Sequence, residues 1–169
     1  MSFKIVKINY KYCDFLREFD NKIAYNAGRK ELRPFIGVLF KVSEFEYFAP
    51  LSSPKPKHLL LSNSIDLIKI NDGKYGVINL NNMIPVYYNN YEILDLNNPT
   101  DIFEKKYFSL VKKQLRWLNS NKEDIVSNAI RLYNLYKNDK LAKRVKIRCC
   151  NYPLLEEKCF EYNNETVNI

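Results

Sequence analysis

The chain has 169 residues, with 27 Lys plus Arg against 19 Asp plus Glu, one His and a formal net charge of +8. That length supports one good core and argues against a second, so residues 1–169 are read as a single domain. No stretch reaches the roughly 20 apolar residues of a membrane span, and the opening Met1 to Lys4 lacks a signal peptide's apolar region, so a cytoplasmic protein with no membrane contact is expected.

Phe3 to Ile8 is short and β-rich and is expected to open a sheet. Tyr12, Phe15, Leu16 and Phe19 then recur at i, i+3, i+4 and i+7, which predicts a helix ending near Asp20. From Asn21 to Arg33 the pattern dissolves into a polar surface loop, whose Arg29, Lys30 and Arg33 either rest in solvent or meet phosphate. Phe35–Phe40 and Phe45–Ala49 read as two strands joined in a hairpin by the polar link Lys41–Glu44. Ile65–Ile70 and Tyr75–Leu80 read as another pair, turned by Asn71, Asp72 and Gly73. Met83–Tyr88 is a further strand, which Pro85 restricts to an edge or a bend. Short strands between tight turns predict a small, curled, mostly antiparallel barrel.

After Pro99 the apolar period lengthens to that of a helix. Tyr107, Leu110, Val111, Gln114, Leu115 and Leu118 share one face, and Lys105, Lys106, Lys112, Lys113 and Arg116 fill much of the rest. Ser120 and Glu123 have the spacing of a capping box, predicting that a second helix starts there, with Ile125, Ala129, Leu132, Tyr133 and Tyr136 inward. Pro153 suits the first turn of a short terminal helix. The whole reads as one α+β domain, with Trp117 and the helix tyrosines taken as core.

The positive charge is unevenly placed. Residues 1–100 carry 13 basic and 10 acidic side chains, residues 101–148 carry 13 and 5, and the remainder carries 1 and 4. An excess gathered in one region is the footprint expected for a polyanion such as nucleic acid, although a solvated basic face has the same composition. Cys13, Cys149, Cys150 and Cys159 form no C-x-x-C pair and read as reduced, buried thiols, so a Cys/His metal site is not expected.

The stretch from Ser52 to His58 concentrates the chemistry: Ser52, Ser53, Lys55, Lys57 and the single histidine, with Pro50, Pro54 and Pro56 alongside. Each proline fixes its own φ and favours an extended predecessor, so a stiff loop or strand end, not a helix, is expected. Ammonium groups, hydroxyls and an imidazole together suit a phosphate. No phosphate-binding glycine loop, dinucleotide fingerprint, zinc-protease motif or nucleophile elbow is present, and Ala49–Asn63 carries no carboxylate for a divalent metal. Metal-free phosphoryl transfer on RNA fits these residues, because the 2′-hydroxyl is the nucleophile and the protein has only to align it, move two protons and stabilise charge. Non-catalytic RNA binding through the same basic surface is the alternative.

Four collinear stretches carry a resemblance: Arg33–Gly37, Tyr47–Lys55 with His58, Ile78–Val86 and Leu154–Lys158. With the opening helix, they resemble the ToxN family of toxins from type III toxin–antitoxin systems over Phe3 to about Tyr162. The resemblance implies an SH3-like barrel of the Kid/MazF type with added long helices. It also implies an endoribonuclease that cuts A-rich RNA and is restrained by a small repeat RNA, which it processes and with which it assembles into closed rings. Cellular or phage mRNA would be the substrate, and phage defence by abortive infection the outcome. Carried over by position, Ser53 is the first catalytic candidate, Ser52 fills a Ser/Thr slot, Lys55 stabilises the phosphorane and Arg33 matches a basic position. Arg29 stands where some relatives have tyrosine, which makes Tyr25 a candidate substitute. No cofactor is implied.

The other assignments follow. His58 serves catalysis and phosphate binding or holds a structural hydrogen bond, and Lys57 faces phosphate. Asn79, Asn81 and Asn82 contact bases or brace the loop. Lys105, Lys106, Lys112, Lys113, Arg116, Lys143, Arg144, Lys146 and Arg148 bind the RNA backbone together.

Overall fold

The structure, a computed structural model, describes residues 1–25 and 33–167; Arg29 and Lys30 lie outside the described residues. Among the described residues eight strands and six α-helices follow in chain order. They are β1 (Lys4–Ile8), α1 (Tyr10–Arg17), β2 (Phe35–Gly37), β3 (Lys41–Val42), β4 (Phe45–Ser52), α2 (Pro56–Leu60), β5 (Leu67–Lys69) and β6 (Val77–Asn79). After these come β7 (Ile84–Val86), β8 (Tyr91–Ile93), α3 (Ile102–Ser120), α4 (Lys122–Lys137), α5 (Lys143–Lys146) and α6 (Tyr152–Val167).

All strand pairs are antiparallel, and β4 organises them. Its first half bonds to β3 (Val42 opposite Phe45) and to β7 (Tyr47 opposite Pro85). Its second half bonds to β2 (Phe35 opposite Pro50) and to β6 (Ser52 opposite Val77). The main path runs β5-β6-β4-β2-β1-β8, and β3 and β7 join β4 beside it. This is an α+β fold with a mostly antiparallel sheet. The expected closed barrel is not formed, because β5 and β8 end the path and do not bond to each other. As its proline requires, β7 pairs on one edge only, since Pro85 has no N–H to donate to a second neighbour. The predicted turn between β5 and β6 forms with Asn71 and Asp72 at φ 48° and 55°, followed by Gly73 at 86°.

Several expectations need correction. Ser120 does not start a helix: α3 runs through it, its hydroxyl donates back to the Arg116 carbonyl (3.1 Å), and Asn121 stands at the junction, so the capping box does not form. The segment after Ser52 is not wholly extended, because Pro56 takes the first position of α2, where no N–H is needed. Phe19 is exposed, the terminal helix spans 16 residues, and β8 has no sequence counterpart above.

Buried hydroxyls tie the helices to the sheet. Tyr12 donates to the Pro85 carbonyl (2.5 Å) and Tyr152 to that of Leu80 (3.1 Å). Tyr47 in β4 and Tyr133 in α4 both donate to Glu156 Oε1 in α6, at 2.8 and 2.6 Å. The Leu154–Lys158 stretch is therefore structural: Leu155 is in the core and Glu156 satisfies two phenols that would otherwise be unpaired. All four cysteines are buried and unbridged. No helix of the described residues is long and apolar enough to cross a membrane.

One ion pair fastens the basic segment to the sheet side. Arg148 grips the buried carboxylate of Asp66 through Nε (2.9 Å) and Nη2 (2.8 Å), while Ser64 adds a third bond at 2.8 Å. Burial alone would raise the Asp66 carboxyl, but Arg148 and Ser64 hold it below its ordinary value. Arg148→Met strips two charge-assisted bonds from a buried carboxylate. Because the Arg148 side chain is half exposed, we expect a loss of about 1–3 kcal/mol, below the cost for a fully buried pair, read from the urea unfolding midpoint.

Candidate active site

The end of β4 delivers Ser52 half-buried and Ser53, Pro54, Lys55, Pro56 and Lys57 exposed. Ser52 is fixed by its neighbour strand: Asn79 of β6 donates through Nδ2 to its Oγ at 2.8 Å and reaches the Pro50 carbonyl at 3.4 Å. With Oγ accepting from Asn79, the Ser52 proton is left to donate elsewhere. The chain then closes on itself at α2. The Lys55 N–H donates to His58 Nδ1 (3.1 Å) and the His58 N–H returns to the Lys55 carbonyl (2.9 Å). His58 is 3% exposed, and burial, then the ammonium groups of Lys55 and Lys57, push its imidazole below the ordinary 6.5. A neutral ring with Nδ1 accepting is what this bond demands.

The turn between β5 and β6 lies directly behind this loop, and its glycines are the reason it fits. At Gly76 (φ 100°) a Cβ would overlap the Ser52 carbonyl oxygen, and at Gly73 (φ 86°) it would stand 2.5 Å from the His58 carbonyl oxygen. Gln114 of α3, 1% exposed, holds the turn by donating from Nε2 to the Tyr75 carbonyl at 2.7 Å. Lys69 of β5 reaches the Leu59 carbonyl of α2 at 3.3 Å. Neither glycine nor Gln114 was marked as a site residue from sequence; the available signal was that two of only four glycines flank one turn.

Arg33 comes to the same end of the sheet. Pro34 accepts the Leu51 N–H at 2.9 Å, and continuing the β2–β4 register by two places from Phe35 and Pro50 sets Arg33 across from Ser52. Burial pulls the Arg33 guanidinium below its usual value, with the Tyr107 phenol opposing that and Arg17 adding to it. Tyr107 and Arg17 are thus neighbours the sequence did not indicate. Arg17 is held by Asp14 (2.5 Å) and the Ala24 carbonyl (3.0 Å), and its guanidinium lies 5.2 Å from the ring centre of exposed Tyr25. By backbone placement Ser52, Ser53 and Arg33 share one end of the sheet, with Lys55 three residues beyond Ser52, and Arg17 lies near enough to influence Arg33 while standing over Tyr25.

The remaining candidates separate. Asn82 donates to the Lys22 carbonyl (3.0 Å), and Asn81 pairs by its backbone with Asp66 and Cys150, so both brace the chain around β6 and β7. On α3, Lys105, Lys106, Lys112, Lys113 and Arg116 share an arc of about 120° at 100° per residue, away from the face that buries Val111, Gln114 and Leu118. In the α5 region, Lys143 and Arg144 are exposed, but Lys146 pairs with Asp139 (2.6 Å) and Arg148 with Asp66. Those two cations are partly neutralised at home. Trp117 is half-buried and lines a cavity instead of being sealed in the core.

The chain matches, over residues 4–159, the family model described as toxin ToxN of type III toxin–antitoxin systems. It is 33% identical to an endoribonuclease ToxN of Bacillus thuringiensis subsp. kurstaki, covering 94% of this chain and 84% of that protein. It is 31% identical to an endoribonuclease ToxN of Pectobacterium atrosepticum, covering 96% of this chain and 95% of that protein. Among solved structures, a chain from work on selective toxin inhibition by a non-coding RNA pseudoknot superposes with a TM-score of 0.82 at 34% identity, covering 96% of this chain and 99% of that one.

Two outcomes are expected from this geometry. Gly76→Ala forces a Cβ into the Ser52 carbonyl at positive φ and should cost about 2–4 kcal/mol, measured by thermal or urea unfolding. The His58 lock has a definite pH sign. A ring whose folded pKa lies below 6.5 gives stability that is complete above that value and is lost as pH falls through the folded pKa. Unfolding midpoints taken between pH 7.5 and 5 should therefore fall more for the wild-type chain than for His58→Asn, whose amide oxygen accepts the same N–H without titrating.

Proposed function

We propose that this chain, which belongs to the ToxN family of type III toxin–antitoxin toxins, is an endoribonuclease whose cleavage centre is the Ser52–Lys55 segment at the end of β4. The observation that carries this reading is the convergence, in a member of that family, of Ser52, Ser53, Lys55 and Arg33 at one strand end. There the Ser52 hydroxyl is already oriented by Asn79.

The reaction follows from what these groups can and cannot do. The RNA 2′-hydroxyl attacks the adjacent phosphorus and loses its proton, while the 5′-oxygen leaves and gains one. The products are a 2′,3′-cyclic phosphate and a 5′-hydroxyl end. Charge builds on the non-bridging oxygens, where the Lys55 ammonium and the hydroxyls of Ser52 and Ser53 supply donors. Arg33, half-buried beside Tyr107, adds a guanidinium with a planar fork matched to phosphate. His58 acts structurally, since its Nδ1 is engaged in holding Lys55 in place. Tyr25, brought to this end by Arg17, stays a candidate for the phosphate or a base. The donor set supports chemistry without a metal, because Ala49–Asn63 offers hydroxyls and ammonium groups and no carboxylate.

The wider reading rests on the relatives. A repeat RNA antitoxin, folded as a pseudoknot, would restrain and be processed by residues 1–169 acting as one cytoplasmic domain, in a closed ring of protein and RNA. The basic arc of α3 would grip its backbone. Cellular or phage mRNA, cut at A-rich sites, would be the target, with phage defence by abortive infection as the result. The curl of the sheet about β4 supports kinship with Kid/MazF-type toxins in an open form.

Induced in cells, the wild-type chain should arrest growth and leave 5′-hydroxyl cuts, mapped by ligation-based end sequencing. Ser53→Ala and Lys55→Ala should each lower single-turnover cleavage about 100- to 1,000-fold while keeping the wild-type unfolding midpoint. Cleavage should persist in excess chelator and fail on an oligonucleotide with a 2′-deoxy sugar at the cut. If Ser53→Ala cuts as well as wild type, the assignment falls. If the wild type binds RNA tightly and never cuts it, non-catalytic RNA binding replaces it.

A further inference from the structure

A cavity of about 370 Å³ lies between the β5–β6 turn and the junction of α3 and α4, within the size range of small-molecule pockets. Trp117 and Ile68 give it an apolar wall, and its rim is polar. The polar groups are unevenly committed. Asn121 donates through its amide nitrogen to the Trp117 carbonyl (2.8 Å) and Asn128 to that of Ile65 (2.7 Å), so each turns a carbonyl oxygen free to accept. Asp72 and Asp124 line the same space, and neither carboxylate has an ion-pair or hydrogen-bond partner among the described residues. Lys69 is the one cationic side chain lining it.

Those facts select a ligand class. Two carboxylates against one ammonium repel phosphate, so the cavity does not continue the cationic track. A tryptophan beside a surplus of acceptors fits a flat, neutral group that brings N–H donors. A nucleobase with an exocyclic amine, adenine, cytosine or guanine, matches; uracil, with two carbonyls and one N–H, matches less well. The position is also right, because Asn71 and Asp72, which line the cavity, continue directly into Gly73, against which His58 packs. The backbone of Lys69 is pinned by Asn63 (2.8 Å) while its side chain reaches α2. One turn thus borders both the cleavage loop and the cavity.

We infer that this cavity is a base-reading pocket, in which one unpaired, amine-bearing base of the bound RNA stacks against Trp117 and donates to the Asn121, Asn128 and Asp124 acceptors while its backbone lies on the cleavage loop. The inference rests on the RNA reading above and adds a source of sequence preference to it.

Trp117 is the only tryptophan in the chain, so its emission reports on this pocket alone. The experiment titrates the whole protein with short 2′-O-methyl oligonucleotides of adenine, cytosine or uracil, which cannot be cut. Binding is read by polarisation of an end label, and stacking by Trp117 emission. Adenine and cytosine oligomers should quench Trp117 and bind roughly tenfold tighter than uracil oligomers. Asp124→Leu should remove that advantage and leave the uracil affinity unchanged. The companion variant Asp124→Glu, which keeps an acceptor at the same position, should retain the advantage. Binding of all oligomers with unaltered emission, or an adenine advantage that survives Asp124→Leu, overturns the pocket but not the RNA reading. Absence of any binding overturns both. Quenching by arginine amide and by no base makes the cavity a site for cations and overturns the inference.

Discussion

Strand β4 is the constraint on which the rest depends. It has backbone partners along both edges, with β3 and β7 beside its first half and β2 and β6 beside its second. Tyr47, Phe48, Ala49, Pro50 and Leu51 are all buried, so a slip by one residue would exchange two packed faces and unseat the side chains of both. The register therefore fixes where the strand stops, and it stops at Ser52. The candidate segment is positioned by strand pairing with four neighbours, a more rigid support than a loop has by itself.

Electrostatics are arranged around the same point. The exposed cations of the segment, Lys55 and Lys57, have no carboxylate within their own stretch, and their field adds to burial in pushing His58 below its ordinary value. Acids are used elsewhere: Asp66 neutralises Arg148, Asp139 pairs with Lys146, and Glu156 accepts two phenols. The basic excess of residues 101–148 is for that reason functionally divided. The α3 arc faces solvent as a stripe, whereas part of the α5 cluster is a fastener between the basic segment and the sheet side.

What the sequence disclosed depended on how local each cause was. The turn at Asn71, Asp72 and Gly73 was legible because its conformation is set by residue type within three positions. Helix α3 was legible because its period is sustained over nineteen residues. Strand β8 was not, since three residues give little periodicity and its partner β1 lies more than 80 positions away. The capping spacing at Ser120 misled because the same hydroxyl can serve the preceding helix, and only the packing at Trp117 and Asn121 decides which. The prolines misled at Pro56 for a similar reason: proline forbids a helix interior but is well suited to a helix start. At the candidate site, residue type and resemblance nominate Ser52, Ser53, Lys55 and Arg33, while Asn79 as the Ser52 orienter and Tyr107 beside Arg33 depend on contacts no spacing encodes.

The glycines show how the two halves of the molecule meet. Gly73 and Gly76 sit at positive φ in one turn, and each is pressed against backbone of the reactive segment where no side chain fits. That turn is anchored to α3 by Gln114, and α3 also carries Trp117 and the basic arc. Close backbone contact transmits a displacement better than side-chain contact does, since there is no rotamer to absorb it. Gln114, Tyr75 and Gly76 thus form a continuous line of contact from α3 to the Ser52 carbonyl. The helical half therefore supports the candidate site, although the candidate side chains themselves, Ser52, Ser53, Lys55 and Arg33, come from the sheet half.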